Sequence, residues 1–171
     1  FRNRLIVPIH DMQGRVVAFG GRSLDGQEPK YLNSPESEIF EKGKMLFAFE
    51  KASSDIRKRD KAIIVEGYFD VISLHSKGIT NSVASLGTAL NKYQISQLCR
   101  CTDNKNIILN FDSDNAGILA TKRVIKEVET LSLHDQINLK ILQLSHFKDP
   151  DEYLNSHTPE DYFNLIDNSS F

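Results

Sequence analysis

Cysteine is scarce in this chain of 171 residues: there are two, Cys99 and Cys101, one residue apart. That spacing fits neither a thioredoxin-like pair nor a zinc knuckle. Both thiols are expected to pack in a helix, in a reducing compartment. No run approaches the ~20 apolar residues of a membrane span. No long apolar segment follows Phe1-Arg2-Asn3-Arg4, so that start does not read as a signal peptide. An initiator Met is missing as well, and the chain is expected to be a piece of a longer protein. His10, His75 and His134 lack metal-ligand spacing and are expected on the surface. There is no internal repeat and no low-complexity tract. Neither sign of charge dominates: 21 Lys/Arg face 23 Asp/Glu, a net charge of −2, which by itself argues against a general nucleic-acid binder.

The distribution of that charge is less even. Residues 1–61 carry 12 Lys/Arg and 9 Asp/Glu, a balance of +3; residues 62–171 carry 9 and 14, a balance of −5. A basic part beside an acidic part suits a phosphate-gripping surface next to a metal-holding pocket. Isolated basic groups such as Arg15, Lys44 and Arg57-Lys58-Arg59 read as solvated surface.

Hydrophobic patterning divides the chain similarly. Leu5 to Ile9 and Arg15 to Phe19 flank Asp11-Met12-Gln13-Gly14 as a β-hairpin, with Gly20-Gly21 expected to break its second strand. Pro29 to Pro35 reads as irregular or short strand. Met45 to Ala52 can form a helix, and polar Ser53 to Lys61 marks either a subdomain boundary or a solvated helix end. From Ala62 onward, strands and helices alternate. Strands are expected at Ala62–Val65, Ser82–Ala84, Asn106–Phe111 and Ile137–Leu144. Helices are expected at Asp70–Lys77, Ala89–Arg100, Ile118–Leu131 and after Thr158-Pro159, an N-cap followed by proline in the first turn. Repeated alternation of this kind implies a doubly wound α/β sheet.

Six carboxylates stand just past the apolar runs of that sheet: Glu66 and Asp70, Asp112 and Asp114, Asp149 and Asp151. Ligands of open α/β sheets bind beyond the carboxyl ends of the strands, where the strand order reverses. Six negative charges there repel one another unless cations bind, and hard oxygen ligands suit Mg²⁺ or Mn²⁺ and phosphate chemistry. Any one of these pairs taken alone also reads as a helix cap. Gly67 is expected to let the backbone turn sharply or approach a ligand.

The residues also carry a family likeness. Glu66-Gly67-Tyr68-Phe69-Asp70, Val83-Ala84-Ser85-Leu86-Gly87-Thr88-Ala89, Asp112-Ser113-Asp114-Asn115-Ala116-Gly117 and Asp149-Pro150-Asp151-Glu152 resemble the TOPRIM domain of bacterial DnaG-type primases. Arg2 to Ile9, Phe19-Gly20-Gly21-Arg22, Pro29 to Glu36 and Phe40-Glu41-Lys42-Gly43 resemble the N-terminal subdomain of the same catalytic core. Phe69 stands where many relatives have Met, and Asp-Ser-Asp where some have Asp-Gly-Asp; every carboxylate is retained.

The resemblance implies an α/β fold: a Rossmann-like TOPRIM domain with a mostly parallel sheet at 61–155, preceded by part of a smaller α+β subdomain at 1–60, with a helical subdomain starting at 156–171. It implies DNA-directed synthesis of short RNA primers for replication by metal-dependent nucleotidyl transfer. Glu66, Asp112 and Asp114 would be catalytic. Two or more Mg²⁺ or Mn²⁺ ions would be held by Asp112, Asp114 and Asp149, helped by Glu66 and Asp151. Glu66 is alternatively the general base, and Asp70 stands behind the ligands, orienting them. Arg2, Arg4, Arg22, Lys30 and Lys42 would grip template or nucleotide phosphates, with Tyr31 stacking on a base or sugar and Asn33 bonding a nucleotide. Implied partners are a single-stranded DNA template, ribonucleoside triphosphates and a replicative helicase, the last through a domain not in this sequence; a zinc site would likewise lie in a domain outside it. No membrane and no organic cofactor are expected, and the setting would be cytoplasmic and nucleoid-associated, with a plastid or a phage-infected host left open. Two other readings stand beside this one: another TOPRIM enzyme, a nuclease or topoisomerase, and a non-catalytic nucleotide- or metal-binding module.

Overall fold

The computed structural model describes residues 1–131, 136–144 and 146–169; His134 lies outside them. Two sheets organise the chain. The first is antiparallel, in the order β1 (Arg4–His10), β2 (Val16–Ser23), β3 (Tyr31–Asn33). The expected break at Gly20-Gly21 does not occur. β2 runs through both glycines, which pair with β1 on one side and β3 on the other. They are needed for room instead. A Cβ at Gly20 would stand 3.0 Å from the Tyr68 ring, and one at Gly21 2.7 Å from the Phe1 ring.

The second sheet is parallel, in the order β5 (Ser82–Ala84), β4 (Ala62–Val65), β6 (Asn106–Leu109), β7 (Asn138–Ile141). The chain leaves central β4 to form β5 on one side, then crosses back to form β6 on the other. The strand order therefore reverses between β4 and β6, which is where such sheets open a crevice. The backbone N–H of Phe47 donates to Ala84 O at 2.8 Å, so an upstream segment covers the β5 edge.

Alternating side chains of β4 feed two cores. Ala62 and Ile64 pack with Ile107 and Leu109 of β6 against α1 (Phe49–Arg59), α3 (Lys92–Cys99) and α4 (Asn115–Glu129). Ile63 and Val65 pack with Ile108 against α2 (Tyr68–Ser76), α5 (Pro150–Leu154) and α6 (Pro159–Asn168), and this core also takes in Val7 and Ile9 of β1. Burial of every β4 residue explains its unbroken apolar run. The polar stretch after Ala52 is the solvated part of α1, which continues to Arg59; its buried stripe is Phe49, Ala52 and Ile56. α4 begins three residues before its apolar periodicity does, because Asp114 caps it. Cys99 and Cys101 are both buried, but only Cys99 lies in the expected helix; Cys101 follows the end of α3. His75 is not a surface residue: it is half-buried, its Nε2 lies 3.0 Å from Ser82 O, and burial holds its pKa below the usual imidazole value.

Candidate functional site

The carboxyl ends of β4, β6 and β7 bring the acidic residues to one edge of the parallel sheet. Glu66 directly follows β4, and its Oε1 accepts the backbone N–H of Asp112 at 3.2 Å, tying the ends of the two strands at the switch point. Asp70 lies in the first turn of α2, where negative charge is favoured, and its Oδ2 accepts the Gly67 N–H at 2.9 Å. Gly67 itself has an extended backbone, φ −118, so no sharp turn requires glycine there. Asp114 is the N-cap of α4 and accepts the Gly117 N–H at 2.9 Å. Asp149 is the N-cap of α5 and accepts the Glu152 N–H at 2.9 Å. Asp151 accepts the Ser73 hydroxyl of α2. Capping and site duties thus coincide in the same side chains. The Asp112 carboxylate accepts no hydrogen bond from the described residues.

Mutual repulsion is visible in the acidities. Burial, then the neighbouring Asp112, Asp114 and Asp70, push the Glu66 pKa up. Burial and the charge of Asp149 raise Asp112, with Lys148 opposing. Burial, reinforced by Asp112, Asp149 and Asp151, pushes Asp70 up to about 6. These couplings join Glu66 to Asp70, Asp112 and Asp114, Asp112 to Asp149, and Asp70 to Asp149 and Asp151. Among the described residues, no three His, Cys, Asp or Glu side chains stand close enough together to hold a metal ion between them. The donor set still fits a hard divalent cation: Mg²⁺ commonly takes one or two carboxylates and completes its shell with water and substrate phosphate.

Below the site, Tyr162 of α6 is fully buried and its hydroxyl donates to Asn110 Oδ1 at 2.6 Å; Asn110 Nδ2 donates to Leu142 O at 3.2 Å. This chain of bonds pins the segment just before Asp112. Gly117 supports it from α4. A Cβ there would overlap the Asp112 carbonyl oxygen and reach within 2.7 Å of Glu66 Oε1.

The antiparallel sheet meets the acidic edge through aromatic rings. Tyr31 of β3 packs edge-on against Tyr68, with centroids 5.8 Å apart, and against Phe69 at 6.2 Å. The Arg22 guanidinium lies 5.0 Å over Phe69, and Lys30 Nζ 5.5 Å over Tyr31. Phe69 and Tyr68 belong to the first turn of α2, so these contacts join the antiparallel sheet to the helix that carries Asp70. Arg4 is engaged on the same sheet, donating to Pro29 O at 2.8 Å. Asn33 is committed structurally, donating to Leu86 O at 2.9 Å. Arg2 is exposed before β1. Lys42 sits in a short 3-10 turn braced by Gln94 and makes no ion pair among the described residues.

Three contributors were not picked out as site residues from sequence: the Phe69 ring that seats Arg22, Lys148 beside Asp112, and Gly117 beneath Glu66. Only Gly117 carried a usable signal, a glycine where a helix would favour alanine. Among the supposed solvated cations, Arg59 stacks 4.5 Å over Phe163 and Arg15 pairs with Asp11.

Residues 63–154 match the model of the Toprim-like family. The chain belongs to the Toprim-like family. Ahead of this Toprim-like domain, residues 1–53 match the DNA primase catalytic core, N-terminal domain. A DNA primase of Synechococcus elongatus is 56% identical over 97% of this chain. Among solved structures, a DNA primase domain from Pseudomonas aeruginosa is 39% identical with a TM-score of 0.91, covering 99% of this chain and 52% of that one. A DnaG primase catalytic domain bound to single-stranded DNA is 36% identical with a TM-score of 0.85, covering 99% of this chain and 54% of that one. The chain spans about a quarter (24%) of the Synechococcus primase. The parallel sheet and its mixed α/β setting agree with the fold expected from sequence. Among the described residues, no helix is long and apolar enough to cross a membrane.

Proposed function

We propose that this chain is the carboxylate-bearing part of a DNA primase core, making short RNA primers on a single-stranded template by nucleotidyl transfer. The observation that carries this reading is the acidic edge at the β4/β6 switch point abutting a basic, aromatic sheet. Asp112, Asp114 and Asp149, with Glu66 and Asp151, would hold two or more Mg²⁺ or Mn²⁺ ions. Bound there, such ions lower the pKa of a primer 3′-hydroxyl and balance charge on a pyrophosphate leaving group. Asp112 is the readiest ligand, since no donor among the described residues occupies its carboxylate. Glu66, with its raised pKa, suits either ligand or general base. Asp70 would orient the Glu66 segment through its bond to Gly67.

Arg22 and Lys30, seated on Phe69 and Tyr31, would take nucleotide or template phosphates beside the carboxylates, with Arg2, Arg4 and Lys42 extending the grip. Tyr31 would offer an exposed ring face for stacking, and Asn33 a hydrogen bond to a nucleotide. The relative solved with single-stranded DNA supports the template assignment. Ribonucleoside triphosphates and a replicative helicase are proposed partners, the latter through segments outside this sequence, and the setting is the cytoplasm at replicating DNA.

The test sets primer synthesis from ribonucleotides on single-stranded DNA against nicking of supercoiled plasmid, using the longest natural protein that carries this chain. RNA products that require Mg²⁺ or Mn²⁺ and vanish in Asp112→Asn support the reading. Nicking without primers would make the protein a DNA-cutting Toprim enzyme, and nucleotide binding without turnover would make it a binding module.

A further inference from the structure

A sizeable cavity lies away from the acidic edge. It has a volume of about 640 Å³ and opens between the β1–β2 turn, the 38–46 segment, and helices α1 and α3. Its size falls in the range of small-molecule sites, roughly 300–1,000 Å³. Met12, Val17, Phe40, Leu46, Phe49 and Tyr93 give it apolar walls.

Its polar groups are unusual in what they lack. The Glu50 side chain is nine-tenths buried, at 10% exposure, and His10 Nδ1 lies 3.4 Å from its Oε1. Glu50 Oε2 and Gln97 Oε1, both on lining residues, are buried with no hydrogen-bond partner among the described residues. Buried acceptors left unpaired by the protein are costly, so both favour a donor supplied from the cavity. The other charges do not supply it. Arg15 is held by Asp11 at 2.6 Å and Lys44 by Glu41 at 2.7 Å. Glu38 adds a further negative charge to the lining.

We propose that this cavity binds an organic cation, an amine or amidine on an apolar body, with the Glu50 carboxylate as its charge partner. The apolar walls take the body, the buried carboxylate selects the charge, and the Gln97 carbonyl offers a second acceptor. This inference does not rest on the nucleotidyl-transfer reading. The same chemistry is available from a free amine or from an arginine side chain of a partner protein.

Benzamidine is a suitable probe, with benzoate as the same body of opposite charge and acetyl-Phe-Arg-Phe-amide for the side-chain source. Calorimetric titration of the full chain is expected to show saturable benzamidine binding and no benzoate binding. Glu50→Gln is expected to weaken benzamidine about tenfold or more, the loss of one charge-assisted hydrogen bond. Met12→Trp, at an exposed position on the cavity mouth, weakens binding without entering the core, so the proposal stays testable if the Glu50 variant does not fold. Tighter binding of the peptide than of benzamidine assigns a protein partner; the reverse assigns a free amine. No binding of either probe, equal binding of benzoate, or unchanged affinity in both variants overturns the proposal and leaves the orphan acceptors to ordered water.

Discussion

Replacing Gly117 with alanine separates helix propensity from site architecture, because the two pull in opposite directions. Gly117 lies in the first turn of α4, and a glycine in a helix interior is less favourable than alanine by roughly 0.5–1 kcal/mol. On propensity alone, Gly117→Ala stabilises the protein. The structure says otherwise. The new Cβ would overlap the Asp112 carbonyl oxygen and come within 2.9 Å of the carbonyl carbon and 2.7 Å of Glu66 Oε1. Backbone cannot swing away as a flexible side chain does, and overpacking of this kind costs about 1–3 kcal/mol. The expected net loss is about 1–2 kcal/mol. At about 2–4 °C per kcal/mol for a chain of this size, Tm falls by about 2–8 °C. The relief also shifts Asp112 against Glu66, and a misplacement of about 1 Å costs on the order of 100-fold in turnover. Differential scanning calorimetry and primer-synthesis assays read the two effects. A variant with raised Tm and full activity refutes the claim that α4 must approach Asp112 this closely.

Tyr162→Phe leaves Asn110 Oδ1 buried without its donor, and chemical denaturation is expected to register a loss of about 1–3 kcal/mol; an unchanged midpoint contradicts the pinning role. The raised pKa of Asp70 fixes the sign of a pH effect. Its folded value, about 6, lies above the ordinary aspartate value of 3.8, so the folded state holds the extra proton between them. Its contribution to stability is therefore present below about pH 4 and is lost as pH rises through about 6. Metal-free thermal melts are expected to show Tm falling over that window in the wild type and less so in Asp70→Asn, and identical profiles would sink the assignment. If Arg22 and Lys30 each hold one phosphate, as proposed, the double variant Arg22→Ala, Lys30→Ala is expected to flatten the log–log salt slope of single-stranded DNA affinity by about 1.4; an unaltered slope places the grip elsewhere.

Much of the parallel domain was legible because its determinants are local. Four consecutive apolar residues at Ala62–Val65 signal a strand buried on both faces, and Thr158-Pro159 signals a helix start. The six carboxylates stood out because each follows such a strand. What escaped was set by tertiary approach. Gly20-Gly21 reads as a break from propensity, yet it serves as the clearance for the Tyr68 ring. The first turn of α4 was missed because Asn115-Ala116-Gly117 has no apolar periodicity, although a capping role for the Asp112 and Asp114 pair was among the readings the sequence allowed. The Arg22–Phe69 contact joins residues 47 apart and has no signature in either segment. Nor could spacing reveal that Asp114, Asp149 and Asp70 each spend one oxygen on a backbone N–H, while no donor among the described residues reaches either oxygen of Asp112.

The central claim is that the acidic edge binds divalent cation together with a nucleotide, with Asp112 as the leading ligand. Titration of Mn²⁺ in the presence of a ribonucleoside triphosphate, followed by electron paramagnetic resonance, tests it most directly. Wild-type protein is expected to bind Mn²⁺, with Asp112→Asn weakening that affinity about 10- to 100-fold while its metal-free Tm does not fall, since a repelling charge has been removed. Equal Mn²⁺ affinity in the two proteins would contradict the account.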